Sequence, residues 1–159
     1  MSGNCPFCRA KTPSSDEEAV KYLRPWVKKK KAWAQYQMGQ HYYDGKGVKQ
    51  SYEMARRLYE QAAQQGHVAA MTNLGVMHNF GQAGVERSYE KAFEYYDQAA
   101  QFGDVKSQLN LGILYITGQG VERSPMKARE LWVKAAAQGN ENAIGALEEL
   151  DKESIYTYS

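Results

Sequence analysis

Hydrophobic residues recur in this chain with the spacing of an α-helix, in six consecutive stretches. In the first, third and fifth stretches (type A), residues suited to a protein core stand four positions apart. Residues with this spacing lie on one face of a helix, so that face is expected to pack against a core. These type A faces are Ala34, Met38 and Tyr42; Ala70, Leu74 and His78; and Ser107, Leu111 and Tyr115. The stretches between them (type B) share a small residue, a bulky pair and an alanine doublet. Their members are Ala55, Leu58, Tyr59, Ala62 and Ala63; Ala92, Tyr95, Tyr96, Ala99 and Ala100; and Ala128, Leu131, Trp132, Ala135 and Ala136.

The A and B stretches form one unit that occurs three times. A glycine follows the central hydrophobe of each helix A, at Gly39, Gly75 and Gly112, so successive units are 36 and 37 residues apart. Self-similarity at such a period is the signature of a stacked helical array, in which neighbouring units bury each other's apolar faces. We therefore predict an all-α fold of the α/α solenoid type. Such arrays offer a long surface rather than a chemical pocket, so the repetition favours binding over catalysis.

The residues between the stretches fit the chemistry of helix ends. A glycine is expected just past each helix, where a left-handed residue closes the last turn. These glycines are Gly45, Gly81 and Gly118 after the A helices, and Gly66, Gly103 and Gly139 after the B helices. A serine is expected to cap the start of each helix B, at Ser51, Ser88 and Ser124. Ahead of the array, Ser15 and Glu18 form a candidate capping box for a helix that Pro25 is expected to end or kink.

These boundaries divide the chain into predicted segments. Residues 1–14 are expected to be a zinc-finger remnant or disordered, and residues 15–30 an N-terminal capping helix. The array spans 31–153, with repeats at 31–66, 67–103 and 104–139 and a C-terminal cap helix at 140–152. Residues 154–159 form a tail, which is expected to fray.

Composition narrows the function only slightly. Charged residues make up 24% of the 159 residues and the net charge is +2, which favours neither nucleic acid nor another acidic partner. No apolar run approaches the roughly 18 residues that a membrane span needs. Only two cysteines are present and the N-terminus lacks an apolar leader, so we expect a reducing compartment, the cytoplasm or alternatively the nucleus. The sequence makes no prediction about oligomeric state.

The two cysteines, Cys5 and Cys8, stand together in the segment CPFCR. A C-x-x-C pair supplies half of a tetrahedral zinc site, so these residues are metal ligands only if a complete finger exists upstream. Three interpretations stay open: the remnant of a zinc finger, an exposed pair without function, and a redox motif. We predict no metal site within the repeats, no cofactor and no catalytic residues.

The repeated pattern A-x-x-x-[LM]-G-x-x-[YH]-x-x-G…G-V…A-x-x-x-x-x-x-A-A-x-x-G resembles the Sel-one-like repeat, a relative of the tetratricopeptide repeat. This chain differs at His78, where the family usually has tyrosine, and at the three serine caps, where aspartate is common. The resemblance implies a right-handed α/α superhelix that serves as a non-enzymatic scaffold or adaptor in protein complexes. CPFCR is similar to the end of a RING-type finger. That similarity implies an alternative function, the substrate-recruiting portion of a RING-type ubiquitin ligase with a truncated finger.

One row of polar residues is a candidate partner-binding surface. Two residues before each helix A glycine stand the amides Gln37, Asn73 and Asn110. Stacked A helices line the inner side of such arrays, and amides both donate and accept hydrogen bonds, which suits binding an extended peptide backbone. The neighbouring residues included in this surface are Tyr36, Gln40, Val76, Met77 and Ile113. We therefore predict a protein or peptide partner in the groove; the alternative is a solvated row without function.

Overall fold

The computed structural model describes residues 13–82 and 84–156, and within these ranges the chain forms eight helices and no strand. The helices are α1 (Asp16–Lys28), α2 (Ala32–Asp44), α3 (Tyr52–Ala63), α4 (Val68–Phe80), α5 (Tyr89–Gln101), α6 (Val105–Thr117), α7 (Pro125–Ala137) and α8 (Glu141–Tyr156). Helices α2, α4 and α6 are the predicted A helices, and α3, α5 and α7 are the predicted B helices. The predicted all-α solenoid is confirmed. No helix in the described ranges is long and apolar enough to cross a bilayer.

The helices pack mainly against the helices before and after them in the chain. The core is accordingly a series of four hydrophobic clusters rather than one centre. In the cluster at the N-terminal end, Val20 and Leu23 of α1 are buried beside Met38 and Leu58. Helix α1 thus covers the apolar side of the first repeat that no preceding repeat covers.

A glycine in each helix A lies beneath an aromatic ring of its own helix B. A side chain at Gly39 would begin 2.7 Å from the Tyr59 ring, and one at Gly75 would begin 2.5 Å from the Tyr96 ring. Gly112 has the same relation to Trp132. These distances are far below van der Waals contact, so the repeated glycine is required by the close approach of the two helices.

The predicted helix ends are largely confirmed. Each helix A ends at a glycine with a left-handed backbone. Each helix B begins at a serine whose hydroxyl accepts a hydrogen bond from a backbone N–H of the first turn.

Helix α1 begins as expected, because the Ser15 hydroxyl accepts from the Glu18 N–H at 3.3 Å. Of the two expectations for Pro25, the end of the helix is not observed: α1 continues to Lys28, within the predicted capping helix at 15–30, and the Pro25 carbonyl accepts from the Lys29 N–H. Proline removes only its own donor, so the following bonds still form.

Polar contacts join neighbouring repeats at the start of each following helix A. His67 caps α4 through Nδ1, which accepts from the Ala70 N–H at 3.3 Å, and its ring stacks on Tyr36 of the preceding repeat. At the next junction the Thr72 hydroxyl donates to the Asp104 carboxylate at 3.0 Å. The Ser107 hydroxyl lies 3.0 Å from the Thr72 hydroxyl. Each junction therefore has its own side-chain chemistry, although the helices repeat.

Candidate functional site

The three predicted amides lie at equivalent positions on successive A helices. Gln37, Asn73 and Asn110 are on α2, α4 and α6, and each is half-buried. Half-buried side chains are still partly accessible to solvent, so a partner could reach this row of amides. The surroundings of the three amides differ. Only one of them, Asn73, lines the depression between α2 and α4.

That depression, which we call the α2–α4 cleft, has a volume of about 220 Å³. It brings together four of the eight predicted partner-binding residues, and three residues that the sequence analysis did not include. Its lining consists of Gln40, Tyr43, Asp44, Tyr59, Asn73, Val76 and Met77. The cleft therefore lies at the junction of the first and second repeats and draws its side chains from both.

The floor of the cleft is apolar and rigid. Met77 and the aromatic Tyr59 are each 2% exposed, and Val76 beside them is half-buried. Burial raises the pKa of the Tyr59 hydroxyl well above its usual range, so this group stays neutral at any physiological pH. The Asn73 side chain opposes this rise in the pKa of Tyr59. The floor thus presents mainly apolar surface.

The rim of the cleft is polar and more exposed. Gln40 donates from Nε2 to the Tyr36 hydroxyl at 3.0 Å, which orients its amide. Asp44 accepts from the Lys46 ammonium at 2.9 Å in an ion pair whose side chains are 43% and 60% exposed. Hydrogen bonding to Asp44 raises the pKa of Lys46. An apolar floor with a few polar groups at its edge is the usual composition of a binding depression.

The other predicted site residues lie outside this cleft. Tyr36 is used in packing, because its ring stacks on His67 at 4.4 Å between centroids. Gln37 lines a second depression of about 320 Å³, which is formed by the C-terminal half of α2 and Lys46. Asn110 and Ile113 lie on α6, one repeat farther along, where Ile113 is 44% exposed. The predicted surface therefore covers three A helices, and half of its residues meet at the first junction.

Tyr43 and Asp44 could have been found from the sequence. They follow Gln40 by three and four residues, so they extend the same helix face by one turn. Tyr59 carried no such signal. It belongs to a helix B, and it reaches the cleft because Gly39 leaves room for its ring.

No group of three or more histidine, cysteine, aspartate or glutamate side chains in residues 13–82 and 84–156 is placed to hold a metal ion. The cysteine pair, Cys5 and Cys8, lies outside the described residues. The zinc-finger interpretation of CPFCR is therefore neither supported nor contradicted by the fold.

The sequence model of the Sel1 repeat matches three consecutive stretches, residues 34–67, 68–104 and 105–140. The chain belongs to the Sel1 repeat family. The predicted resemblance to the Sel-one-like repeat is thereby confirmed, and the matched stretches each contain one helix A and one helix B. Proteins of this family generally act as scaffolds for protein interactions.

Solved structures of Sel1 repeat proteins superpose well on this chain. A protective antigen of uropathogenic Escherichia coli strains with an SLR fold is 36% identical, with a TM-score of 0.78 over 81% of this chain. The match covers 27% of that antigen, so this chain spans about a quarter of its length. A Sel1 repeat protein from Oxalobacter formigenes is 33% identical, with a TM-score of 0.77 over 82% of this chain and 98% of its own.

A more distant match agrees in fold alone. Cysteine rich protein B of Helicobacter pylori is 19% identical, with a TM-score of 0.63 over 84% of this chain and 98% of its own. No curated protein sequence matches this chain significantly.

Proposed function

We propose that this Sel1 repeat protein is a non-enzymatic adaptor that binds an extended segment of a partner protein in the groove formed by α2, α4 and α6. The proposal assigns it no catalytic step and no cofactor. It also places the protein in the cytoplasm, with the nucleus as the alternative, because a chain with so few cysteines suits a reducing compartment.

The observation that carries the proposal is the α2–α4 cleft. Its floor offers apolar contact through Val76 and Met77, and its rim offers amide and carboxylate groups at Gln40 and Asp44. An extended peptide carries both kinds of group along its length, because its backbone donates and accepts while its side chains alternate. A cleft with this lining fits such a segment better than it fits a flat protein surface.

The test replaces the predicted amide row and leaves the core unchanged. In a triple variant, Gln37→Ala, Asn73→Ala and Asn110→Ala, we expect the helical circular dichroism of the wild type and at least tenfold weaker binding of a captured partner. Partners are identified by affinity capture and mass spectrometry, and their affinity is then measured with purified components. A double variant of exposed amides on α5, Gln98→Ala with Gln101→Ala, is the matched control and should bind as the wild type does. Equal binding by the triple variant contradicts the proposal.

The ubiquitin-ligase alternative depends on Cys5 and Cys8 and stays a prediction. No described residue favours it, since both cysteines lie outside the described ranges. The test is the genomic sequence directly upstream of Met1, where six further cysteine and histidine ligands would support this alternative. An upstream sequence without such ligands would contradict it.

A further inference from the structure

The α2–α4 cleft has an uneven charge. Its lining residues include one carboxylate, Asp44, and no lysine, arginine or histidine. One amide donor beside it is used internally, since Gln40 Nε2 donates to the Tyr36 hydroxyl at 3.0 Å. Asp44 supplies the one charged group of the lining, and its carboxylate accepts hydrogen bonds. The cleft is therefore complementary to a ligand that donates hydrogen bonds and carries positive charge.

Asp44 lies at a position where its negative charge destabilises the helix. It is the last residue of α2, and a carboxylate at a helix C-terminus meets the negative end of the helix dipole. The equivalent residues of the second and third repeats are the uncharged Phe80 and Thr117. The ion pair of Asp44 with Lys46 is exposed at both side chains, and such surface pairs contribute little to stability. A cation from a partner can replace Lys46 at small cost.

Among cationic side chains, arginine fits the cleft best. Its planar guanidinium group can donate two parallel hydrogen bonds to a carboxylate such as Asp44, which an ammonium group cannot do. Its aliphatic stem can lie on the apolar surface of Val76 and Met77 while the charged end stays at the rim.

The next junction of the groove has a different character. One repeat farther along, Phe80 occupies the position of Asp44 and Ile113 that of Val76, and they are 61% and 44% exposed. Exposed apolar side chains of this size favour an apolar partner residue at the second junction.

We propose that the groove selects a partner segment that carries an arginine and, farther along the same segment, an apolar residue. The arginine lies in the α2–α4 cleft beside Asp44, and the apolar side chain lies against Phe80 and Ile113. This inference rests on the proposed function, because it names the chemistry of the segment that the adaptor binds.

The experiment is a selection from a random peptide library displayed on phage, using the full chain as bait. We expect enrichment of arginine together with an apolar residue, and synthetic peptides that carry this pair should bind more weakly as ionic strength rises. In Asp44→Asn the preference for arginine should fall at least tenfold, and in Phe80→Ala the preference for the apolar residue should fall. Asp97→Asn, on α5, is the matched charge control and should select as the wild type does.

The outcomes separate this inference from the proposed function. Peptides that bind the wild type without a basic residue, and bind Asp44→Asn equally well, overturn the arginine site and leave the adaptor function standing. Enrichment of acidic peptides likewise overturns it. If no peptide is enriched, or if the enriched peptides also bind the triple amide variant unchanged, the groove itself is refuted and this inference fails with it. Circular dichroism of Asp44→Asn confirms folding, which the helix dipole leads us to expect.

Discussion

The glycine in the middle of α4 offers a sharp test of the packing argument. Gly75 lies beneath the ring of Tyr96, a side chain with no exposed surface. In Gly75→Ala the new methyl group would begin 2.5 Å from Cε1 and 2.6 Å from Cδ1 of that ring. Because ordinary contacts between carbon atoms are roughly 3.5–4.0 Å, ring and helix must separate by about 1 Å.

The magnitude follows from two opposing effects. Alanine is a better helix former than glycine by about 1 kcal/mol, which stabilises the variant. Forcing extra volume into a packed core costs about 1–3 kcal/mol. Since Tyr96 is completely buried and cannot swing into solvent, we expect a cost in the upper half of that range. The free energy of unfolding of Gly75→Ala should therefore fall by roughly 1–2 kcal/mol.

Gly145 in α8 provides the matched control, because a methyl group there would meet no atom within 4 Å. Gly145→Ala should gain helix propensity without overpacking and raise the free energy of unfolding by about 0.5–1 kcal/mol. Urea unfolding followed by circular dichroism at 222 nm measures both variants. The same substitution should thus have opposite signs in the two helices. A Gly75→Ala protein as stable as the wild type would refute the argument.

Two further predictions concern titration and a buried hydroxyl. Burial lowers the pKa of His67, and burial together with Lys91 lowers the pKa of His78. As the pH falls, these histidines therefore bind protons in the unfolded chain before they do so in the folded protein. The free energy of unfolding should be constant above about pH 6.5 and fall as the pH drops below it, as urea unfolding at several pH values can measure. Thr72→Val removes the hydroxyl that contacts Asp104 across the repeat junction, and should lower the free energy of unfolding by about 1–3 kcal/mol in the same assay.

Each of these two predictions has a matched control variant. His67→Asn keeps a cap for α4 and His78→Tyr restores the family's usual residue, so together they should flatten the pH dependence. An unchanged slope in that double variant would mean that other groups cause it. Thr117→Val removes an exposed hydroxyl that bonds only within its own helix end, and should be nearly neutral. Equal losses for both threonine variants would count against a special role of the junction.

Much of the fold was predictable because each unit repeats the same local rules. Ser88 shows this: a serine just before an amphipathic stretch predicts a cap, and its hydroxyl does accept from the Lys91 N–H. The cap at His67 was not predictable, because histidine is an uncommon N-cap and its role depends on which ring nitrogen faces the helix. Helix α1 continues beyond Pro25, as a capping helix at 15–30 required, and packing of Trp26 and Val27 against the first repeat supports its last turn.

The candidate site was predictable only in part, for a geometric reason. A row of equivalent positions on the A helices follows from the period alone, and it led to Asn73 and Gln40. The depth of the surface does not follow from the period, since it depends on how far an aromatic of helix B penetrates between neighbouring A helices. Tyr59 forms part of the cleft, whereas Trp132 donates from Nε1 to the Leu109 carbonyl at 3.1 Å.

The series of separate hydrophobic clusters has a consequence for how this protein tolerates change. Each helix depends on its immediate neighbours, so damage at one end does not have to spread to the other. A lesion in α7 or α8 can loosen the third unit while α2 to α4 keep their structure. New sequences can therefore arise at one end of such a chain during evolution while the recognition surface at the other end is preserved.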